Sequence, residues 1–244
     1  MSNVWIVAKR EFTSYFKTPL ALIFVVVFLV LNGFFTFKLG QFFEQGQADL
    51  RSFFMWHPWL YLFIVPAISM RLWSEERKSG TIELLLTLPV SPFEATFGKF
   101  LASWAFLSIS LLLTFPIALT VLYLGEPDVG VMFASYIGSF LMAGAYLSIG
   151  LCVSASTNNQ VISFVISTSI CLLFILMGFA PVIDILLGFL PAWLVDEIAN
   201  LSFPYHFEAI QRGVLDFRDI VYFLSVMFFG LLSGTIVLDR VKAS

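Results

Sequence analysis

The 244 residues are 59% apolar and only 12% charged, with a formal net charge of −3 and a mean hydropathy of +0.94. Those values lie far outside the range of soluble domains, so the chain belongs in a bilayer and no nucleic-acid partner is expected. Crossing about 30 Å of hydrocarbon takes roughly 20 apolar residues as a helix, and six charge-free runs of that order are present. The fold class expected is an all-α membrane protein with six transmembrane helices in a single domain.

Residues 1–17 read as an amphipathic helix in the membrane interface. Val4, Trp5, Ala8, Phe12 and Phe16 fall near one face, while Asn3, Lys9, Arg10 and Lys17 are polar or basic. A plain membrane anchor fits the periodicity equally well. A cleaved signal peptide does not, because the apolar run that follows is long enough to span and no small-residue cleavage site succeeds it. Span one covers 18–37, with Thr18 as its cap and Pro19 at the first helical position. Span two, 56–73, is short and bent by Pro58 and Pro66.

The stretch 74–92 is the most informative part of the chain, an ordered polar loop between two apolar runs. Ser79 or Thr81 caps a short helix, Glu83 suits its positive end and Pro89 stops it, which puts Ile82, Leu85 and Leu86 on one face. Ser91, Pro92 and Glu94 then spell a capping box for the next helix. Span three covers 99–124, with a kink expected at Pro116. No formal charge occurs from Val129 to Ile183, and the polar stretch 154–160 divides that run into spans four (129–153) and five (160–180). Residues 181–218 are too apolar for a solvated loop, and each block in them is too short to cross. They read as short helices that dip into the outer leaflet and return, punctuated by Pro181, Pro191 and Pro204, with Trp193 in one of the apolar blocks. A packed cap with no gating role is the competing reading. Span six covers 219–238.

Six spans put both termini on one side. That side holds Lys9, Arg10, Lys17, Arg71, Arg77, Lys78, Lys99, Arg240 and Lys242, nine of the 13 basic residues, so it is expected to be cytoplasmic. Rows of small residues (Gly144, Ser148, Cys152 and Ser156; Ser163, Ser167 and Cys171; Gly230 and Gly234) suit close helix packing, within one subunit ahead of between two. Cys152 and Cys171 fall inside spans and read as buried, inert thiols. The two histidines, His57 and His206, have no metal-ligand or catalytic spacing and read as hydrogen-bonded or interface-anchoring side chains. No catalytic residue, metal ligand or directly bound cofactor is expected. The span interiors lack ionisable residues, which argues against a proton-coupled transporter; energy must come from elsewhere.

The segment from Glu76 to Ser91, with Glu94 and Gly98-Lys99 after it, strongly resembles the ABC-2 class of ABC transporter permeases. The likeness is to the gliding-motility-associated permease subunit, with the permease for nitrous-oxide-reductase maturation a similar relative. The opening Ala8-to-Pro19 segment looks like that family's interfacial helix. The resemblance implies that the loop carries a cytoplasmic coupling helix docking into a separate ATP-binding subunit. The coupling residues would be Ser79, Gly80, Thr81, Ile82, Glu83, Leu85 and Leu86, flanked by Glu75, Glu76, Arg77 and Lys78. It also implies that the outer dips form a gate. The partners implied are two copies of an ATP-binding subunit holding ATP and Mg, and a second permease subunit, identical or related. An accessory envelope protein and membrane lipid complete the set, in a bacterial inner membrane. An ATP-independent secondary transporter or channel, an intramembrane enzyme and a purely mechanical transducer are the rival readings; the missing catalytic constellation speaks against the enzyme.

Overall fold

The computed structural model describes residues 3–44, 46, 48–82, 89–213 and 215–243, and all regular structure among them is helical. In chain order the helices are α1 (Asn3–Lys17), α2 (Pro19–Phe34) with a π-helical extension (Phe35–Leu39), α3 (Arg51–Phe54), α4 (His57–Ser69), α5 (Ser74–Ser79), α6 (Pro92–Leu112), α7 (Phe115–Leu124), α8 (Val129–Ser156), α9 (Gln160–Leu176), α10 (Ala180–Leu187), α11 (Ala192–Ala199), α12 (Phe203–Gln211) and α13 (Phe217–Ala243). Five segments are long and apolar enough to cross a membrane: Ala21–Leu39, Arg51–Ser79, Pro92–Leu124, Val129–Ser156 and Phe217–Arg240. α9 and α10 supply a sixth if they count as one broken span, for they meet at 69°.

Local signals explain most of the boundaries. Ser91 and Glu94 form the reciprocal capping box at the start of α6. Asp128 and Asn159 cap α8 and α9 by accepting backbone N–H groups. Thr18 stands at the start of α2 in extended backbone, but its side chain accepts no backbone N–H; its hydroxyl donates back to the Tyr15 carbonyl at 3.3 Å. The break before Pro116 falls at Leu113–Thr114, where α6 ends and α7 begins with the proline in its first turn.

α8 is the centre of the bundle, with 83% of its spanning stretch buried, against 17% for Ala21–Leu39 at the periphery. In lipid the apolar effect cannot drive helices together, so close packing and hydrogen bonds must. The small residues supply that. A Cβ on Gly230 of α13 would lie 2.7 Å from the Ser148 hydroxyl, and one on Gly234 3.4 Å from the Cys152 Cα. Gly150 packs equally tightly on Ser69 of α4. These rows therefore close helix pairs inside one subunit. Cys171 is buried, Cys152 is half-buried and both are free. A polar chain links α2, α4 and α8: the Asn32 amide donates to His57 Nε2 at 3.2 Å, leaving Nδ1–H to donate to Ser139 Oγ at 2.7 Å, which also bonds the Tyr61 hydroxyl at 2.7 Å. His57 is thus fully buried in the core.

Candidate functional site

The described polar side chains converge most densely at the end of the bundle where α4 gives way to α5. Helix α1 lies against α6 because Gly98 leaves room for it: a Cβ there would fall 2.8 Å from the Val7 side chain and 3.0 Å from the Val4 carbonyl. The face of α1 that packs inward carries Val7 and Ala8, followed by Glu11 and Tyr15, while Trp5 and Phe16 are 56% and 52% exposed. The stripe Val4, Trp5, Ala8, Phe12, Phe16 is therefore divided between protein and surroundings. Tyr15 stacks on Phe106 at 4.9 Å and donates to Ser103, whose own hydroxyl donates to the Lys99 carbonyl. Burial pushes the Tyr15 phenol up to about 12.

Lys99 is the hub. It lies two turns inside α6 and is 2% exposed, and its ammonium reaches Glu76 Oε1 of α5 at 2.8 Å and Glu11 Oε1 of α1 at 3.4 Å. It also rides over the ring of Trp73 at 4.8 Å. Arg10 closes the circuit, 2.7 Å from Glu11 and 3.9 Å from Glu76. Burial alone would raise the Glu11 carboxyl, but Lys99 and then Arg10 outweigh it and hold the group below its ordinary value. One almost fully buried ammonium thus ties together three elements that are distant in sequence.

A second set of bonds fixes α5 to the end of α8. Ser154 Oγ accepts from the backbone N–H of Trp73 and Ser74, both at 3.1 Å, and donates to the Met70 carbonyl at 2.9 Å. The Arg77 guanidinium donates to the Ala155 carbonyl. Arg71 holds Glu75 through two N–H groups at 3.0 and 3.3 Å. α5 stops at Gly80, which has φ +72°, a left-handed conformation that explains a glycine there without any close approach. Ser79 is the last residue of α5, bonded back to the carbonyls of Glu75 and Glu76, and helix resumes at Thr81 and Ile82. Ile82 is buried and Lys78 and Thr81 are exposed. Glu83, Leu85 and Leu86 lie outside the described residues. A cleft of about 610 Å³ opens beside the hub, lined among others by Arg10, Lys17, Arg71 and Lys99.

At the opposite end, Pro181 and Pro204 sit in the first turns of α10 and α12, and Pro191 caps α11. Trp193 is 67% exposed. His206 joins α12 to α13 and to the end of α11, with Nδ1 2.6 Å from Asp219 and Nε2 2.7 Å from the Asn200 carbonyl. The site residues named from sequence thus fall into two groups at opposite ends. Glu11, Trp73 and Ser154 were not among them. The signal that could have found their meeting point is Lys99, a lone charge carried into an apolar helix. Among the described residues no three His, Cys, Asp or Glu side chains are placed to hold a metal ion.

The model of the ABC-2 family transporter proteins matches residues 59–232, which takes in α5, the loop after it, Lys99 and the whole of α8. The chain belongs to the ABC-2 family. It is a multi-pass membrane protein and the permease component of an ABC transporter, a class that generally is not catalytic itself and works with an ABC ATP-binding partner. α1 and α2 precede the matched region of the ABC-2 permease, so Arg10 and Glu11 are attached to the family's shared part through Lys99. No curated protein matches the chain.

Proposed function

We propose that this ABC-2 permease couples ATP hydrolysis on a separate subunit to export, or to force transmission, across the bacterial inner membrane. The observation that carries the proposal is the Lys99 hub. Any push on α5 is delivered at once to α1 through Glu11 and to α6 through the lysine, because stretching a buried ion pair is costly. Through Ser154 and Arg77 it reaches α8, the core of the bundle. The coupling surface is the run Glu75, Glu76, Arg77, Lys78, Ser79, Gly80, Thr81, Ile82, Glu83, Leu85 and Leu86, of which Ile82 is buried against the bundle and anchors the run; its charges set register at the rim of a cleft whose floor takes the leucines. ATP and Mg stay on the partner, two copies of which face a dimer of permease subunits, with both termini cytoplasmic. α10 to α12, begun by Pro181, Pro191 and Pro204 and carrying Trp193, act as the outer gate. The wording of residues 76–91 supports the gliding-motility-associated type, with an envelope protein as a further partner.

The test is a pull-down of tagged chain from solubilised membranes, wild type against Glu83→Arg with Leu86→Asp, assaying ATPase activity in the eluate. Wild type is expected to bring down an ATP-binding protein that the folded, inserted double variant loses. If neither form brings one down, the coupling proposal falls and an ATP-independent transporter or channel takes its place.

A further inference from the structure

A second cleft, of about 520 Å³, opens at the end opposite the Lys99 hub. The bend between α9 and α10 creates it. Where α9 stops at Leu176 and the chain turns by 69°, Gly178 and Phe179 leave a gap against the start of α4 and one side of α12. Its floor is apolar and aromatic, formed by Trp59, Ile175, Phe179 and Phe207, with Trp59 and Phe179 edge to face at 6.1 Å. Its rim carries Arg51 and Arg212, together with Glu208 and Gln211. Neither arginine has an ion-pair partner among the described residues, and both are exposed.

Two unpaired guanidiniums against one carboxylate leave the rim net positive. The same arginines also line a neighbouring hollow together with Asp49 and Asp128, whose carboxylates offset part of their charge, so an anion is favoured on the cleft side of the rim and disfavoured on the other. The volume falls within the range of small-molecule sites. A greasy floor under a cationic rim matches one kind of molecule. We propose that this cleft binds an anionic amphiphile, a membrane phospholipid with its acyl chain on Trp59 and Phe179 and its phosphate between Arg51 and Arg212. Guanidinium is suited to this because its planar fork can grip phosphate through two N–H groups. Glu208 opposes binding, which gives the proposal opposite signs to test.

The experiment is native mass spectrometry of the purified full chain in detergent, titrated with phosphatidylglycerol, phosphatidylcholine or inorganic phosphate. Phosphatidylglycerol is expected to stay bound where phosphatidylcholine does not, and inorganic phosphate is expected not to displace it. Arg51→Gln and Arg212→Gln should each weaken phosphatidylglycerol by about fivefold, while Glu208→Gln tightens it several-fold. Equal binding of the two lipids, displacement by phosphate alone, or affinities unmoved by all three substitutions would overturn the proposal. So would loss of bound lipid whenever the chain self-associates, which would give the cleft to a second copy instead.

Discussion

At Lys99 the physical situation is unforgiving. An ammonium that is 2% exposed survives in an apolar helix only because Glu76, Glu11 and the Trp73 ring surround it. Lys99→Met strands two carboxylates beside Arg10 and is expected to cost about 3 kcal/mol, seen as a lowered thermal midpoint in detergent, whereas Lys99→Arg should keep most of the stability. The hub also dictates a pH response. Glu11 has its folded-state carboxyl held below the ordinary 4.5, so its contribution is complete above that value and is lost as pH falls through the lowered one. Wild type should therefore lose thermal stability more steeply than Glu11→Gln as pH is taken below 4.5; identical pH profiles would remove Glu11 from the hub. Little of this was legible beforehand. Lys99 reads in sequence as the start of a span, because its two carboxylate partners lie 88 and 23 residues away and no local pattern can report them.

Among the elements, packing of α13 on α8 holds the bundle's core, and its tightness rests on Gly230. Any side chain there meets Ser148 Oγ at 2.7 Å and the Ser148 backbone at 2.9 Å. Gly230→Val is expected to destabilise by about 1–3 kcal/mol, measured by thermal unfolding, whereas Gly33→Ala on α2, where a Cβ meets nothing within 4 Å, should be neutral or slightly stabilising. The small-residue rows could be read from sequence, since spacing of four is a helical repeat. Capping chemistry was equally readable. Ser91 and Glu94 cap α6 as their spacing dictates, and the three prolines of 181–211 each open a helix. The inward face of α1 was not, because Trp5 and Val7 are both largely apolar and the hollow at Gly98 selects Val7 to pack inward. Nor was α5 as a helix of its own. It ends at Gly80 for a backbone reason, and Ser79 closes it with bonds back to Glu75 and Glu76; the helix that Ser79 or Thr81 is expected to cap runs into residues outside those described.

For the molecule as a whole, the layout places one polar junction at each end of a close-packed bundle. The Lys99 hub gathers α1, α5 and α6 and is bonded on to α8; His206 gathers α11, α12 and α13. α8 and α13 run between them, stapled together at Gly230 and Gly234. A ligand-driven switch needs two states and a partner that prefers one of them, and here the partner's nucleotide state is the proposed bias. The most direct measurement is the distance between spin labels on the exposed Ser14 of α1 and Trp193 of α11, in a chain with Cys152 and Cys171 replaced by alanine. The permease would be reconstituted with its co-purifying ATPase, without nucleotide and then trapped with ATP, Mg and vanadate. The proposed mechanism requires the distance distribution to move on trapping, and to stop moving when Glu83→Arg and Leu86→Asp break the coupling surface. An unchanged distribution with an ATPase bound and turning over would contradict it.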